Sequence, residues 1–157
     1  MDDYLLLKTL HILSSTVLFG TGLGTAFHLW LAHRGGNSAV IAQVARNAVI
    51  ADFIFIAPAV ILQPLSGMVL LIHAGYDPFA PWLVCSYALF LLAGACWLPV
   101  VVMQIRIRDL AARAVQNNTA LPTAYYRLMR AWFILGWPAF IGLVLVFWLM
   151  AAKPQLW

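Results

Sequence analysis

The side chain with the clearest chemical potential in this 157-residue chain is His11, an imidazole in a stretch with no Asp, Glu, Lys or Arg between Lys8 and Arg34. Inside lipid a polar group is costly unless it is paired or used, so its presence there has to be explained. At about 100° per residue, Lys8, Ser15, Leu18, Gly22, Leu29 and His33 share a helical stripe with His11. A rise of ~1.5 Å per residue sets the imidazole roughly 10 Å below the start of that helix. The stripe offers a nitrogen ligand for iron, small residues (Ser15, Gly22) beside which a flat ring fits, and a cation (Lys8) at the level of the ring's carboxylates. A b-type haem has these needs. The competing reading is a histidine hydrogen-bonded to a neighbouring helix, with Ser15 and Gly22 serving close packing.

Other groups in the apolar stretches carry weaker signals. His73 closes the second apolar stretch just before Gly75. It is read either as a second axial ligand opposite His11 or as a cap on a helix end. His28 and His33 lie near the inner end of the first helix, and His33, with Arg34 beside it, reads as an interfacial flank. Asp52 is the one acid within reach of hydrocarbon, and the expectation is structural pairing with one of the arginines, with proton transfer as the alternative. Gln63 precedes Pro64 and is expected to serve carbonyls that the proline leaves free, while Gln104 needs a partner of its own. Pro58, Pro64, Pro99 and Pro138 are expected to kink three helices, shaping a cavity or merely bending the bundle. Gly20 and Gly24 form a Gly-x-x-x-Gly spacing that permits close helix approach. Trp82, Trp97, Trp132, Trp137, Trp148 and Trp157 are assigned to interfacial belts, and Cys85 and Cys96 to the apolar core.

The elements that must position these groups follow from the charges. Only 9% of residues are charged and 64% are hydrophobic, whereas soluble domains carry about a quarter charged residues. Four windows free of Asp, Glu, Lys and Arg enclose 25, 24, 28 and 22 residues: Lys8 to Arg34, Asp52 to Asp77, Asp77 to Arg106, and Arg130 to Lys153. Each exceeds the ~20 residues that cross ~30 Å of hydrocarbon as a helix. The fold expected is all-α, a polytopic membrane protein built as a four-helix up-down-up-down bundle in a single domain over 1–157. Its helices are placed at about 4–32, 47–73, 82–108 and 130–152. A turn is expected from Gly35 to Gln43 and a longer connection near Gln116 to Pro122, with amphipathic extensions of the last two helices beside it.

The net charge of +4 does not point to nucleic acid. Seven of the nine cations lie in the two connections on one side of the membrane, and none lies between His73 and Pro81. By the positive-inside rule that side is cytoplasmic and both termini are extracytoplasmic, in a bacterial inner membrane. The acidic start, Met1-Asp2-Asp3-Tyr4, is unlike the positive start of a cleavable signal, so the first helix is expected to be retained.

Leu7-Lys8-Thr9-Leu10-His11-Ile12-Leu13, Ala57-Pro58-Ala59 followed by Gly67, Ala95-Cys96-Trp97-Leu98-Pro99, Gln104 to Leu110, Tyr126-Arg127 and Ala152-Lys153-Pro154 resemble a bacterial four-span membrane family classed as a domain of unknown function. The resemblance covers essentially the whole chain. More distantly, it is similar to the HemJ-type protoporphyrinogen oxidases, through Lys8-x-x-His11, Pro58-Ala59 and Lys153-Pro154. The resemblance implies that His11 matches a haem-associated histidine and that Lys8 and Lys153 match basic positions facing the haem propionates. The His and Lys that HemJ proteins carry early in their third helix are replaced here by Trp82-Leu83-Val84-Cys85-Ser86. The later Tyr-His is absent too, which leaves the second axial ligand unassigned.

The first function expected is therefore haem-dependent membrane redox chemistry, with a quinone or a porphyrin-like molecule as substrate. Two others are weighed beside it: an accessory or assembly subunit that associates with itself or another membrane protein through the Gly20/Gly24 face, and a small transporter component with Asp52 and Gln63 in its path.

Overall fold

The computed structural model describes residues 2–156 and consists of five α-helices, two of which join end to end. Trp157, counted above among the belt tryptophans, lies outside the described residues. Helix α1 runs Asp2–Gly35, α2 Ser38–Ala51, α3 Ala57–Ala74, α4 Pro81–Gln116 and α5 Thr123–Ala152. A π-helical turn, Asp52–Ile56, welds α2 to α3, so Ser38–Ala74 is one continuous span. Four helical segments are thus long and apolar enough to cross a membrane. The chain is an all-helical integral membrane protein. Its outward surface carries large apolar side chains such as Leu6, Ile61, Leu91 and Ile72, a pattern that lipid satisfies and water does not.

Local chemistry explains where the helices stop. Gly36 takes a φ of +70° just beyond α1, and the Asn37 side chain then accepts from the amides of Ala39 and Val40, capping α2. The turn expected from Gly35 to Gln43 shrinks to Gly36 and Asn37, because the cap starts a new helix at Ser38. Gly75, at φ +67°, ends α3, and the amide of Tyr76 returns to the Leu71 carbonyl. Asp77 then accepts from the Phe79 amide at 2.9 Å, and Pro81 opens α4. The basic segments flanking the last connection are helical throughout. At ~1.5 Å per residue, the 36 residues of α4 reach about 54 Å, well past the hydrocarbon.

The main break in regularity falls at Pro58 rather than at the interior prolines. Pro58 has no amide to offer and its ring crowds the carbonyl of Ile54, so the turn before it widens and the amide of Ala57 reaches back to Asp52. Pro64, Pro99 and Pro138 sit inside helices that remain α-helical around them.

The helices do not close evenly. Helix α5 packs along α4, α4 along α2, and α1 against α2 and α3, whereas α1 and α5 meet only sparsely. Two apolar clusters seal the ends. Leu29, Ile41, Ile107, Tyr125, Met129 and Trp132 close the arginine-rich end, and Leu71, Trp82, Leu83 and Leu149 close the end bearing both termini. Between these plugs, on the side where α1 and α5 diverge, the bundle is hollow.

Candidate functional site

His11 packs against α3. Its Nδ1 lies 2.7 Å from Ser66 Oγ, and a Cβ on Gly67 would come within 3.3 Å of its Cε1, so Gly67 is the close floor beneath the ring. The Ser66 hydroxyl sits 2.6 Å from the Leu62 carbonyl, which takes its single proton. Ser66 Oγ is then the acceptor, Nδ1–H the donor and Nε2 the lone-pair nitrogen of His11, a tautomer assigned from this pattern. Next to the ring, Gln63 donates to the His11 carbonyl at 2.8 Å and to Ser14 Oγ. Gln63 therefore ties α3 to α1 and does not serve the carbonyls around Pro64, as the sequence led one to expect. Ser14, not Ser15, faces the neighbour: Ser15 turns its hydroxyl to the Ile12 carbonyl of its own helix.

The rest of the expected haem set is not gathered around this imidazole. His73 is exposed, with Nδ1 bonded to the Val69 carbonyl of its own helix. Lys8 is exposed. Lys153 adopts a φ of +44° at the end of α5, donates to Tyr76 Oη at 2.5 Å and lies over the Tyr76 and Trp82 rings at 4.4 and 5.7 Å. It latches the end of α5 to the α3–α4 loop. Gly22 lies three turns beyond His11 and faces Ile56. The residues present thus fit haem at one point only, the anchored imidazole. Among the described residues no group of three or more His, Cys, Asp or Glu side chains gathers as a metal site.

The hollow in the middle of the bundle has a volume of about 430 Å³, within the range of small-molecule sites. Its walls come from α1, the π-helical turn, the start of α3, α4 and α5. They are apolar and aromatic; Phe19 and Phe140 stack across the α1–α5 gap with centroids 5.3 Å apart. The polar exceptions matter most. Four buried side-chain atoms among the described residues have no hydrogen-bond partner: Asp52 Oδ2, Gln104 Oε1, Trp97 Nε1 and Trp132 Nε1. All four residues line this chamber. Asp52 is 2% exposed and Gln104 3%, and the Gln104 side chain lies beside the Asp52 carboxyl. A neutral polar group left unpaired in an apolar medium costs roughly 2–7 kcal/mol. The four residues line the chamber, with the unpartnered atoms themselves set back in its mostly apolar wall.

Several expectations change here. Asp52 is not paired with an arginine; the one ion pair among the described residues is Arg108 with Asp109, at 2.8 Å. Because α2 begins at Ser38, Asp52 is the fifteenth residue of a continuous span instead of standing near its start, and Gln104 beside it is two residues from Arg106. Asp52 and Gln63 do not share a path, since Gln63 is committed to α1. Trp97 and Trp132 are inward chamber residues rather than belt residues, and Trp82 is buried under the Lys153 latch. Gly20 and Gly24 have no neighbour within 4 Å of an added Cβ, so within the monomer they pack nothing closely. His33, read as a flank, bonds through Nδ1 to the hydroxyl of the fully buried Tyr125 at 2.9 Å.

One signal for the chamber was present in the sequence. Phe90, Trp97 and Gln104 recur every seven residues along α4, and Trp132, Gly136 and Phe140 every four along α5. Those spacings put each set on one helical face.

Residues 5–154 match the family described as "Predicted integral membrane protein (DUF2269)". No curated protein and no solved structure matches the chain.

Proposed function

We propose, for a chain that belongs to the DUF2269 family of integral membrane proteins, that it binds a flat lipophilic molecule of the quinone class within the bilayer, in the chamber beside Asp52. The observation that carries this reading is that the four residues with an unpartnered buried polar atom all line one aromatic cavity, where a small side-chain rotation turns those atoms toward a ligand. Two of them are indole N–H donors, and two are oxygens, a carboxyl and an amide, that accept. Their complement is one oxygen that accepts and one hydroxyl that donates, both of which belong to the quinone and quinol couple. The aromatic walls suit a planar head group, and the sparse contact of α1 with α5 suits lateral entry from lipid. Asp52 is the group there able to exchange a proton with a quinol hydroxyl. In this proposal the protein lies in a bacterial inner membrane with its arginine-rich end in the cytoplasm and both termini outside.

The test is extraction. Protein purified from membranes in mild detergent is expected to carry prenylquinone detectable by mass spectrometry, while Gly136→Phe, which fills the chamber, is expected to carry none. Equal quinone in both, or none in the wild type even after reconstitution with added quinone, overturns the reading.

A b-type haem on His11 is the second reading, favoured by the Nδ1–H to Ser66 bond, since ligating histidines are commonly anchored through the nitrogen that does not bind metal. Bound haem would supply one-electron chemistry; Ser66 and Gly67 would hold the imidazole in place. A Soret band that His11→Ala removes supports it, and a colourless protein after expression with ample haem overturns it.

A further inference from the structure

We propose that the groove between α4 and α5 at the arginine-rich end binds the phosphate group of an anionic membrane lipid. The groove has a volume of about 510 Å³ and is lined on α4 by Arg106, Asp109, Leu110 and Arg113, and on α5 by Arg127 and Leu128, beside Ala124. It is separate from the chamber around Asp52 and shares no residue with it.

Charge and depth both point to a lipid. Asp109 is neutralised by Arg108, whose Nε and terminal nitrogen both reach its Oδ1 at 2.8 Å. Arg106, Arg113 and Arg127 have no acidic partner among the described residues, so three guanidinium groups face the groove uncompensated. Guanidinium is the cation whose planar fork matches phosphate oxygens, and basic pockets between spans are where lipid head groups settle. The depth fits as well. Arg106 is the first charge after the third apolar window, and Arg127 stands one helical turn before Arg130, where the fourth begins, so both mark the level of the head groups. Leu110 and Leu128 complete the lining between the arginines. A positive-inside signal needs only the number of cations on one side. It does not require arginines from two helices around one cavity.

The test uses the full-length protein in nanodiscs of phosphatidylcholine doped with phosphatidylglycerol, followed by native mass spectrometry of the lipids retained on release. The variant R106K/R113K/R127K keeps every positive charge, and hence the orientation signal, but removes the fork. R106Q/R113Q/R127Q removes both, and R34Q/R46Q removes charge at the same end outside the groove. Retention of phosphatidylglycerol over phosphatidylcholine is expected to fall by about a hundredfold in the glutamine triple. It should fall clearly in the lysine triple and stay unchanged in R34Q/R46Q. Equal retention in the wild type and the lysine triple overturns the site, as does an equal fall in R34Q/R46Q, because both outcomes mean diffuse attraction. Inorganic phosphate supplies the second arm. Lipid retention that persists in its presence supports the lipid as the source. Phosphate binding to lipid-free protein in detergent, with no lipid retained from nanodiscs, assigns the groove to a soluble phosphate and overturns the lipid.

Discussion

The bundle holds two inward-facing polar groupings, and they are built on opposite plans. Near the terminal end, His11, Ser14, Gln63 and Ser66 satisfy one another and the carbonyls of His11 and Leu62. Toward the arginine-rich end, Asp52, Gln104, Trp97 and Trp132 each leave an atom without a partner, in the walls of an open volume. The first grouping glues α1 to α3, because interhelical hydrogen bonds hold spans together where lipid removes the hydrophobic drive. The second weakens the bundle unless something fills it. Polarity inside a membrane protein is therefore not in itself a mark of function; polarity that is left over, next to a cavity, is the sharper one.

Substitutions should separate the two plans, and the largest effect is expected from closing the cavity. An added Cβ at Gly136 meets nothing within 4 Å, so Gly136→Phe should fold normally and lose all measurable quinone binding in a ligand titration. Asp52→Leu comes next. Quinone affinity falls by about tenfold to a hundredfold, while the ligand-free protein keeps its stability within about 1 kcal/mol in denaturing detergent, because losing the unpartnered Oδ2 is offset by leaving Gln104 without its neighbour. Stability falling with affinity would break the comparison, since Asp52 would then be a structural partner like Gln63.

The satisfied grouping should respond the other way. Ser66→Ala and Gln63→Leu each leave groups of α1 unpaired, and each is expected to destabilise the bundle by about 1 kcal/mol in the same unfolding assay with quinone affinity untouched. The smallest effect is expected at the arginine-rich plug, where Tyr125→Phe removes only the hydroxyl that meets His33 and should cost less than about 1 kcal/mol by thermal unfolding.

The four spans could be read from the charge-free windows because the hydrocarbon thickness sets a length that no other constraint disguises. The helix ends could not be read from those windows alone. Arg106 and Arg130 mark where lipid stops, and the helices continue beyond them as the expected amphipathic extensions, to Gln116 and back to Thr123, but nothing in the windows marks the start of α2. The placement of Asp52 failed for that reason too. Asn37 caps a helix that begins nine residues before the expected Asn47, so Asp52 lies four turns into the span, on the turn that Pro58 widens. His11 stood out in the sequence as a polar group in an apolar stretch, but its partners Ser66 and Gln63 sit more than fifty positions away. Their meeting depends on the register between α1 and α3, which no single-helix periodicity encodes. Trp97 and Trp132 were misread because tryptophan as a type belongs at interfaces, whereas their seven- and four-residue companions showed an inward face.

The most direct measurement is a titration of decylubiquinone followed by tryptophan fluorescence, run on the wild type, Asp52→Asn and His11→Ala side by side. Saturable quenching that weakens about tenfold in Asp52→Asn and keeps its midpoint in His11→Ala is the predicted result. Quenching that ignores Asp52, or that is lost with His11 instead, would contradict a ligand seated in the mid-bundle chamber.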